Sequence, residues 1–250
     1  MTCERNKGID ILIGTSGWSY PHWQGNFYPD DWPKSRWFEY YVTKFKTVEV
    51  NATFYRFFQD QTFQKWYDRA PDDFRYVLKA PRLITHRKYL ENVEEQITSF
   101  WRSALLLKEK FGLILLQLAP STPYDLDRLK KALSAFGDAS KVAVEFRHNR
   151  WLTEETRAHL REAGSIFCNV DSPKTELTDW VTSQVAYVRL HGRRQWYGYN
   201  YTADELQEIR DCVIRIKKLG AKKVYVFFNN DLDGYAPKNA LKLIKMVNAS

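Results

Sequence analysis

The stretch Val142–Arg147, VAVEFR, alternates apolar with small or charged side chains. Side chains two apart on a strand share a face, so Val142, Val144 and Phe146 lie on one side and Ala143, Glu145 and Arg147 on the other. Such a strand has an aliphatic face suited to pack under a helix and an opposite face that turns polar towards its C-terminal end. Seven more apolar runs follow the same plan: Ile11–Ile13, Thr47–Val50, Tyr76–Leu78, Leu113–Leu118, Ile166–Val170, Ala186–Leu190 and Val224–Phe228. Most end in a charged or amide side chain, among them Asn51, Lys79, Asp171, His191 and Asn229. Helix-like segments separate most of the runs. An eight-fold β-then-α alternation is the signature of an α/β, TIM-like (β/α)8 barrel, a fold that holds its active site at the C-terminal strand ends.

Parity extends the argument to the other runs. Thr47, Glu49 and Asn51 oppose Val48 and Val50. Val77 and Lys79 oppose Tyr76 and Leu78, and Tyr187, Arg189 and His191 oppose Val188 and Leu190. Asn169 and Asp171 oppose Cys168 and Val170. In a closed barrel the second face points inward. Glu49, Asn51, Lys79, Gln117, Glu145, Arg147, Asp171, Arg189, His191 and Asn229 are then expected at one mouth.

The 250-residue length suits a single barrel domain spanning 1–250, and no Gly/Ser/Pro-rich linker or low-complexity tract divides the chain. The polar segment Met1–Asp10 carries no apolar signal core. The run Leu113–Leu118 is too short to cross a bilayer, so no membrane association is expected. Cys3, Cys168 and Cys212 form neither a disulfide framework nor a zinc-ligand spacing, which fits a reducing, cytoplasmic setting. Nothing in the chain fixes an oligomeric state. The formal charge of +8 suits an anionic partner, a small molecule or nucleic acid. Much of it has a plainer origin in solubilising lysines on helices or their ends, such as Lys108, Lys110, Lys217 and Lys218.

Helices are predicted at Ser35–Phe45, Asp60–Arg69, Val93–Lys110, Leu126–Ala135, Glu154–Glu162, Ala203–Lys218 and Lys238–Val247. Thr153 and Thr202 read as N-caps with acidic first turns, and Gly112, Gly137, Gly164 and Gly220 as C′ glycines. The segment Asp171–Gln184 contains Pro173 and predicts only a short, irregular helix. Two long loops after strand ends are rich in aromatics. One carries Trp18, Tyr20, Trp23, Phe27, Tyr28 and Trp32; the other, Gly192–Tyr201, carries Arg193, Arg194, Trp196 and Tyr197. Rings beside guanidinium groups suit a sugar, a nucleobase or single-stranded nucleic acid. The plainer reading is that the rings roof the barrel and pack on one another.

Glu49, Glu145 and Asp171 offer carboxylates for acid–base hydrolysis of a glycosidic or phosphoester bond. The competing reading is a buried ion-pair network of Glu145, Arg147, Arg189 and Lys79. Arg147, Arg189, Arg193 and Arg194 could clamp a phosphate or carboxylate bidentately. Lys79 could form a Schiff base if its neighbours lowered its pKa. No cofactor motif appears and no cofactor is expected. His191, Asp171 and Glu145 could together offer ligands to a single divalent metal, but no close His pair supports this and neighbouring cations oppose it.

Several blocks resemble a known family: IGTSGWSYPHWQGNFYP (13–29), TVEVNATFYR (47–56), LKAPRLITH (78–86), AVEFRHNRW (143–151), YVRLHGR followed by Trp196 and Tyr197, and FFNNDLDGYAPKNAL (227–241). They are similar to the YecE-like proteins, domain-of-unknown-function family number seventy-two. The resemblance implies a TIM-barrel-like fold and supplies no established reaction. Trp18, Tyr20, Trp23, Glu49, Asn51, Tyr55, Lys79, His86, Glu145, Arg147, Trp151, Arg189, His191, Trp196, Tyr197, Asn229 and Asn230 fall in its motif positions.

The expected function is thus an enzyme, with hydrolysis the first reaction to test, acting on an anionic, phosphorylated or nucleotide- or sugar-like ligand. Glu49 or Glu145 would be the base and His191 the acid or orienting group. Lys79, Arg147 and Arg189 would hold negative charge, and Trp18, Trp196 and Tyr197 would stack on a ring. The rival expectation is a nucleic-acid-binding protein without catalysis.

Overall fold

A computed structural model describes residues 10–249. The expectation for the polar N-terminus therefore lies almost wholly outside the described residues. Eight parallel strands form the sheet: β1 (Asp10–Thr15), β2 (Thr47–Val50), β3 (Arg75–Lys79), β4 (Phe111–Gln117), β5 (Val142–Glu145), β6 (Ile166–Asp171), β7 (Val185–Leu190) and β8 (Lys223–Phe228). They lie in the order β1-β8-β7-β6-β5-β4-β3-β2. The circle closes where Ser16 bridges Glu49 and the Gly17 N–H donates to the Glu49 carbonyl at 2.8 Å. Gly14 is required at this seam, because a Cβ there would lie 2.3 Å from the Thr47 carbonyl oxygen.

The helices are α1 (Trp37–Lys44), α2 (Ala52–Tyr55), α3 (Asp60–Arg69), α4 (Glu94–Leu105), α5 (Leu126–Ser134), α6 (Glu154–Glu162), α7 (Ala203–Lys218) and α8 (Tyr235–Asn248). Thr153 caps α6, and Thr202 forms a full capping box with Glu205 on α7. Gly164 and Gly220 take positive φ just past helix ends, as expected of C′ glycines. Gly112 instead lies within β4, and Gly137 lacks a positive φ.

Two local expectations fail for identifiable reasons. The helix predicted through Lys110 stops at Leu105, and Lys108 has φ of +47°. Lys110 is not a solvated surface lysine: at 4% exposure it donates to the carbonyls of Tyr67 (2.9 Å) and Ala70 (2.7 Å) at the end of α3. No helix joins β6 to β7. The connecting segment is instead pinned by the Asn169 side chain, which accepts from the Thr178 hydroxyl (2.6 Å) and the Trp180 N–H (2.9 Å) and donates to the Trp180 carbonyl (3.0 Å).

That connection reverses the parity of β6. Leu12, Val77, Leu113, Leu115, Ala143, Tyr187, Tyr225 and Phe227 share the barrel interior with Cys168 and Val170. Polar Asn169 and Asp171 face outward, where a hydrogen-bonded segment rather than an apolar helix covers the strand. On the outer side, Val48, Val50, Tyr76, Leu78, Val144, Val188 and Val226 belong to the main core beneath the helices.

Candidate functional site at the barrel mouth

Parity brings Glu49, Glu145 and Arg189 together from three separate strands. Arg189 donates through Nε to Glu49 Oε2 (2.9 Å) and through Nη2 to Oε1 (2.6 Å), while Nη1 reaches Glu145 Oε2 (2.5 Å). Glu49 also accepts from the Ser16 hydroxyl (2.8 Å) and the Tyr187 phenol (2.6 Å). Glu145 Oε1 accepts from Gln117 (3.0 Å) and Arg147 Nε (2.5 Å). Glu49, Glu145 and Arg189 are all fully buried. Burial raises the carboxyl pKa values, but the guanidinium groups outweigh it and hold both acids below the ordinary glutamate range.

This arrangement shows which of the groups expected at the site are already engaged by one another. Glu49 receives four donors and has no lone pair left for a substrate proton. Glu145 is fixed as a carboxylate between two guanidinium groups. Arg189 spends Nε, Nη1 and Nη2 on these acids rather than on a ligand. His191 is fully buried under Trp196 and Tyr197, at ring separations of 5.4 and 6.0 Å. Burial, reinforced by Arg189, pushes its pKa down to about 4, so the imidazole is neutral and poorly placed to meet substrate. Both ring nitrogens of His191 have polar neighbours: Asn229 Nδ2 lies 3.0 Å from Nδ1, and Arg189 Nη1 (3.4 Å) and Glu145 Oε1 (3.7 Å) lie by Nε2.

Asp171 does not join the mouth. On the outer face of β6 it accepts from Arg193 Nε (3.0 Å), whose Nη1 reaches Glu208 on α7 (2.6 Å). Both residues line a cleft of about 670 Å³ with Arg215 and Cys212, separate from the ion cluster. Trp18 packs edge-on against Phe38 (5.2 Å). The Tyr20 hydroxyl donates to the Ser16 carbonyl (2.6 Å). Asn230 is fully buried and donates to the Tyr199 carbonyl (2.7 Å) and Asn239 (2.8 Å), fixing two loops together. The first aromatic loop packs on itself and on α1: Trp23 and Tyr28 are buried, Trp23 meets Phe27 edge-on at 5.7 Å, and Tyr28 stacks on Trp37 of α1 at 4.9 Å.

The remaining groups line two walls. On one, the Lys79 ammonium lies 4.2 Å above the Phe54 ring, which meets His86 edge-on at 4.9 Å. On the other, the Arg147 guanidinium lies 5.1 Å over Trp196. Asn51, beside the Tyr20 phenol, holds a buried Oδ1 with no hydrogen-bond partner. Tyr55 (66%) and Tyr197 (40%) are exposed. Among the described residues no carboxylate pairs with Lys79, because Glu49 and Glu145 are engaged by Arg189 and Arg147. Burial, with Arg189 next, pushes the Lys79 pKa down to about 8. Burial and Lys79 push that of His86 down to about 4.

Phe54, Ser16 and Tyr187 are site residues that the sequence argument did not single out. Tyr187 and Ser16 were within reach of it, since both fall on the inward parity of their runs. Phe54 gave no signal, because the one-turn helix α2 is too short for periodicity. Among the described residues no group of three or more His, Cys, Asp or Glu side chains is arranged to hold a metal, and no helix is long and apolar enough to cross a membrane.

Fold and site define a class: a TIM-like barrel whose mouth is floored by a buried Glu–Arg–Glu cluster. The chain belongs to the family described as Protein of unknown function DUF72, which matches residues 12–250. It is 24% identical to UPF0759 protein YunF of Bacillus subtilis over 95% of this chain and 94% of YunF. It is 29% identical to UPF0759 protein YecE of Escherichia coli K12 over 146 residues, 58% of this chain and 51% of YecE. A DUF72 family crystal structure from Thermotoga maritima superposes with a TM-score of 0.86 at 32% identity, covering 96% of this chain and 99% of that one. One from Enterococcus faecalis gives 0.80 at 25%, covering 98% and 100%. These names carry no activity, so function is argued from the site.

Proposed function

We propose that this barrel is an enzyme whose C-terminal mouth takes a small anionic ligand of the phosphorylated, nucleotide-like or sugar-like class. One observation carries this reading: the charge at the mouth does not balance. Arg147, Arg189 and Lys79 face only Glu49 and Glu145, and His86 and His191 are neutral. A surplus ammonium in no direct ion pair favours a bound anion. Arg147 is the natural second contact, since only its Nε is spent on Glu145.

Carboxylate-pair hydrolysis loses support, because Glu49 has its four acceptor sites filled and Glu145 is held in ion pairs with Arg147 and Arg189. The reactive group this leaves is Lys79. A thermal-shift screen with glycerol 3-phosphate, ribose 5-phosphate, adenosine monophosphate and lactate tests the reading. At least one anion should stabilise the protein, and Lys79→Met and Arg147→Met should each lose that stabilisation. Equal shifts in the wild type and both variants would reject the mouth as the site.

The nucleic-acid reading keeps one specific support, the exposed rings of Tyr55 and Tyr197 close in sequence to exposed Arg56 and Arg194. It requires affinity for single-stranded DNA or RNA that falls steeply with salt and is lost in Tyr55→Ala and Tyr197→Ala. Salt-insensitive or absent binding would dismiss it.

A further inference from the structure

We propose that Lys79 forms an imine with the carbonyl carbon of a small substrate that also carries a carboxylate or phosphate, the anion being held by Arg147. This deepens the reading above and rests on it.

The geometry sets Lys79 apart from the other described lysines. It is the last residue of β3, on the inward face, at the end of the barrel where reacting groups of this fold gather. Its ammonium rests on the Phe54 face and, among the described residues, makes no direct ion pair with a carboxylate. Burial, then the guanidinium groups of Arg189 and Arg147, disfavour its protonated form and outweigh the opposing pull of Glu49 and Glu145. A surface lysine in an ion pair, such as Lys46 with Asp73 at 2.8 Å, has the opposite environment. A shift from 10.5 to about 8 leaves roughly 300-fold more free amine near neutral pH than on an ordinary lysine. Cationic neighbours and desolvation are the two recognised means of activating an amine nucleophile.

The anion requirement follows from the second wall. The Arg147 guanidinium is oriented by Glu145 through Nε and by the Trp196 face, and its two Nη groups have no hydrogen-bond partner among the described residues. Arg147 therefore presents a donor pair to a carboxylate or phosphate, while Lys79 meets the carbonyl of the same molecule.

The step balances without a redox partner. The Nζ lone pair attacks the carbonyl carbon, a C–N bond forms, and the C=O π pair moves to oxygen, which takes a proton to give a carbinolamine. The nitrogen lone pair then forms the C=N bond as that oxygen leaves with a second proton as water, the two protons gained by oxygen matching the two lost by nitrogen. One amine and one carbonyl give one imine and one water.

The test is borohydride reduction in the presence of glyoxylate, pyruvate, glyceraldehyde 3-phosphate or dihydroxyacetone phosphate, with propanal as the uncharged control. Adducts are located by peptide mass spectrometry. The expected result is a single adduct per chain on Lys79 with at least one anionic probe, at concentrations where propanal labels little, and no such adduct in Lys79→Arg. Labelling confined to the oxo acids or to the phosphates supports the inference and names the anion. Labelling spread over surface lysines, or unchanged in Lys79→Arg, overturns it. Lactate and glycerol 3-phosphate, which lack a carbonyl, are run alongside by thermal shift. Stabilisation that depends on Lys79 and Arg147, without trapping by any probe, overturns the imine and leaves the anion site standing. Neither stabilisation nor trapping overturns both.

Discussion

Arg189 grips Glu49 through two parallel N–H donations, Nε to Oε2 at 2.9 Å and Nη2 to Oε1 at 2.6 Å, with both side chains fully buried. The planar fork of a guanidinium matches a carboxylate in this way, and an ammonium cannot reproduce it. Because Nη1 also reaches Glu145, one side chain on β7 ties β2 to β5 across the barrel. The cluster is thus a buried ion-pair floor beneath the mouth.

Removing one charge from this floor leaves another buried without a partner. Glu49→Gln and Arg189→Met should each cost about 3–5 kcal/mol of stability, the usual penalty for breaking a buried pair from one side. Urea unfolding measures it. A loss below about 1 kcal/mol would mean that water reaches the cluster and that it is not the buried floor described above.

The Tyr41 hydroxyl, supplied by α1, is wedged into the β1–β2 seam. It accepts from the Thr15 N–H (3.0 Å) and lies within donating distance of the Thr47 carbonyl (3.1 Å) and the Thr15 hydroxyl (2.8 Å). Tyr41→Phe leaves that buried N–H and carbonyl unpaired, at a cost of about 1–3 kcal/mol. Hydrogen exchange at Thr15 should accelerate more than exchange at Val188 in the middle of β7. A uniform change across the barrel would contradict a local closure role.

Acid should weaken the fold in two stages. His191 titrates near 6.5 when unfolded and is pushed down to about 4 when folded, so between those values the unfolded chain binds more protons. Its contribution is fully present above about pH 6.5 and is lost as pH falls towards about 4, and His86 behaves in the same direction. Glu49 and Glu145, lowered from 4.5, add a further loss below that value. The melting temperature of His191→Asn should therefore fall less than the wild type's between about pH 6.5 and 4. Parallel curves would show that His191 is not buried as a neutral group.

Lys79 places an unpaired cation where burial disfavours it, so its removal should stabilise the protein. Lys79→Met is expected to raise stability near neutral pH by about 1–3 kcal/mol, from the lowered pKa and the partial exposure of the group. Chemical denaturation of the two proteins checks it. Destabilisation by Lys79→Met would show that the ammonium has a partner holding it in place.

Much of this was legible before any coordinates. Strict period-two alternation located the inward faces of β2, β3, β5 and β7, and with them Glu49, Lys79, Glu145, Arg147, Arg189 and His191. The β6 face was misread because Cys168 and Val170 look like a helix-packing pair, and sequence alone did not show that no helix lies outside that strand. Lys110 was misread because a lysine that caps carbonyls across elements carries no local signal of its partner. Saturation of Glu49 depends on donors from β1 and β7, Ser16 and Tyr187, whose meeting is a product of barrel closure rather than of spacing along the chain. The family blocks marked the mouth without separating its floor from the walls above.

On the proposed reading Lys79 stands at the mouth as a cation that no direct ion pair engages. Its titration can be followed by heteronuclear NMR of the lysine side chains, with the Lys79→Arg spectrum giving the assignment. The Lys79 resonance should titrate at about 8 in the free protein and move upward when an anion that stabilises the protein is added. A midpoint at the ordinary 10.5, indifferent to every anion tested, would contradict the account.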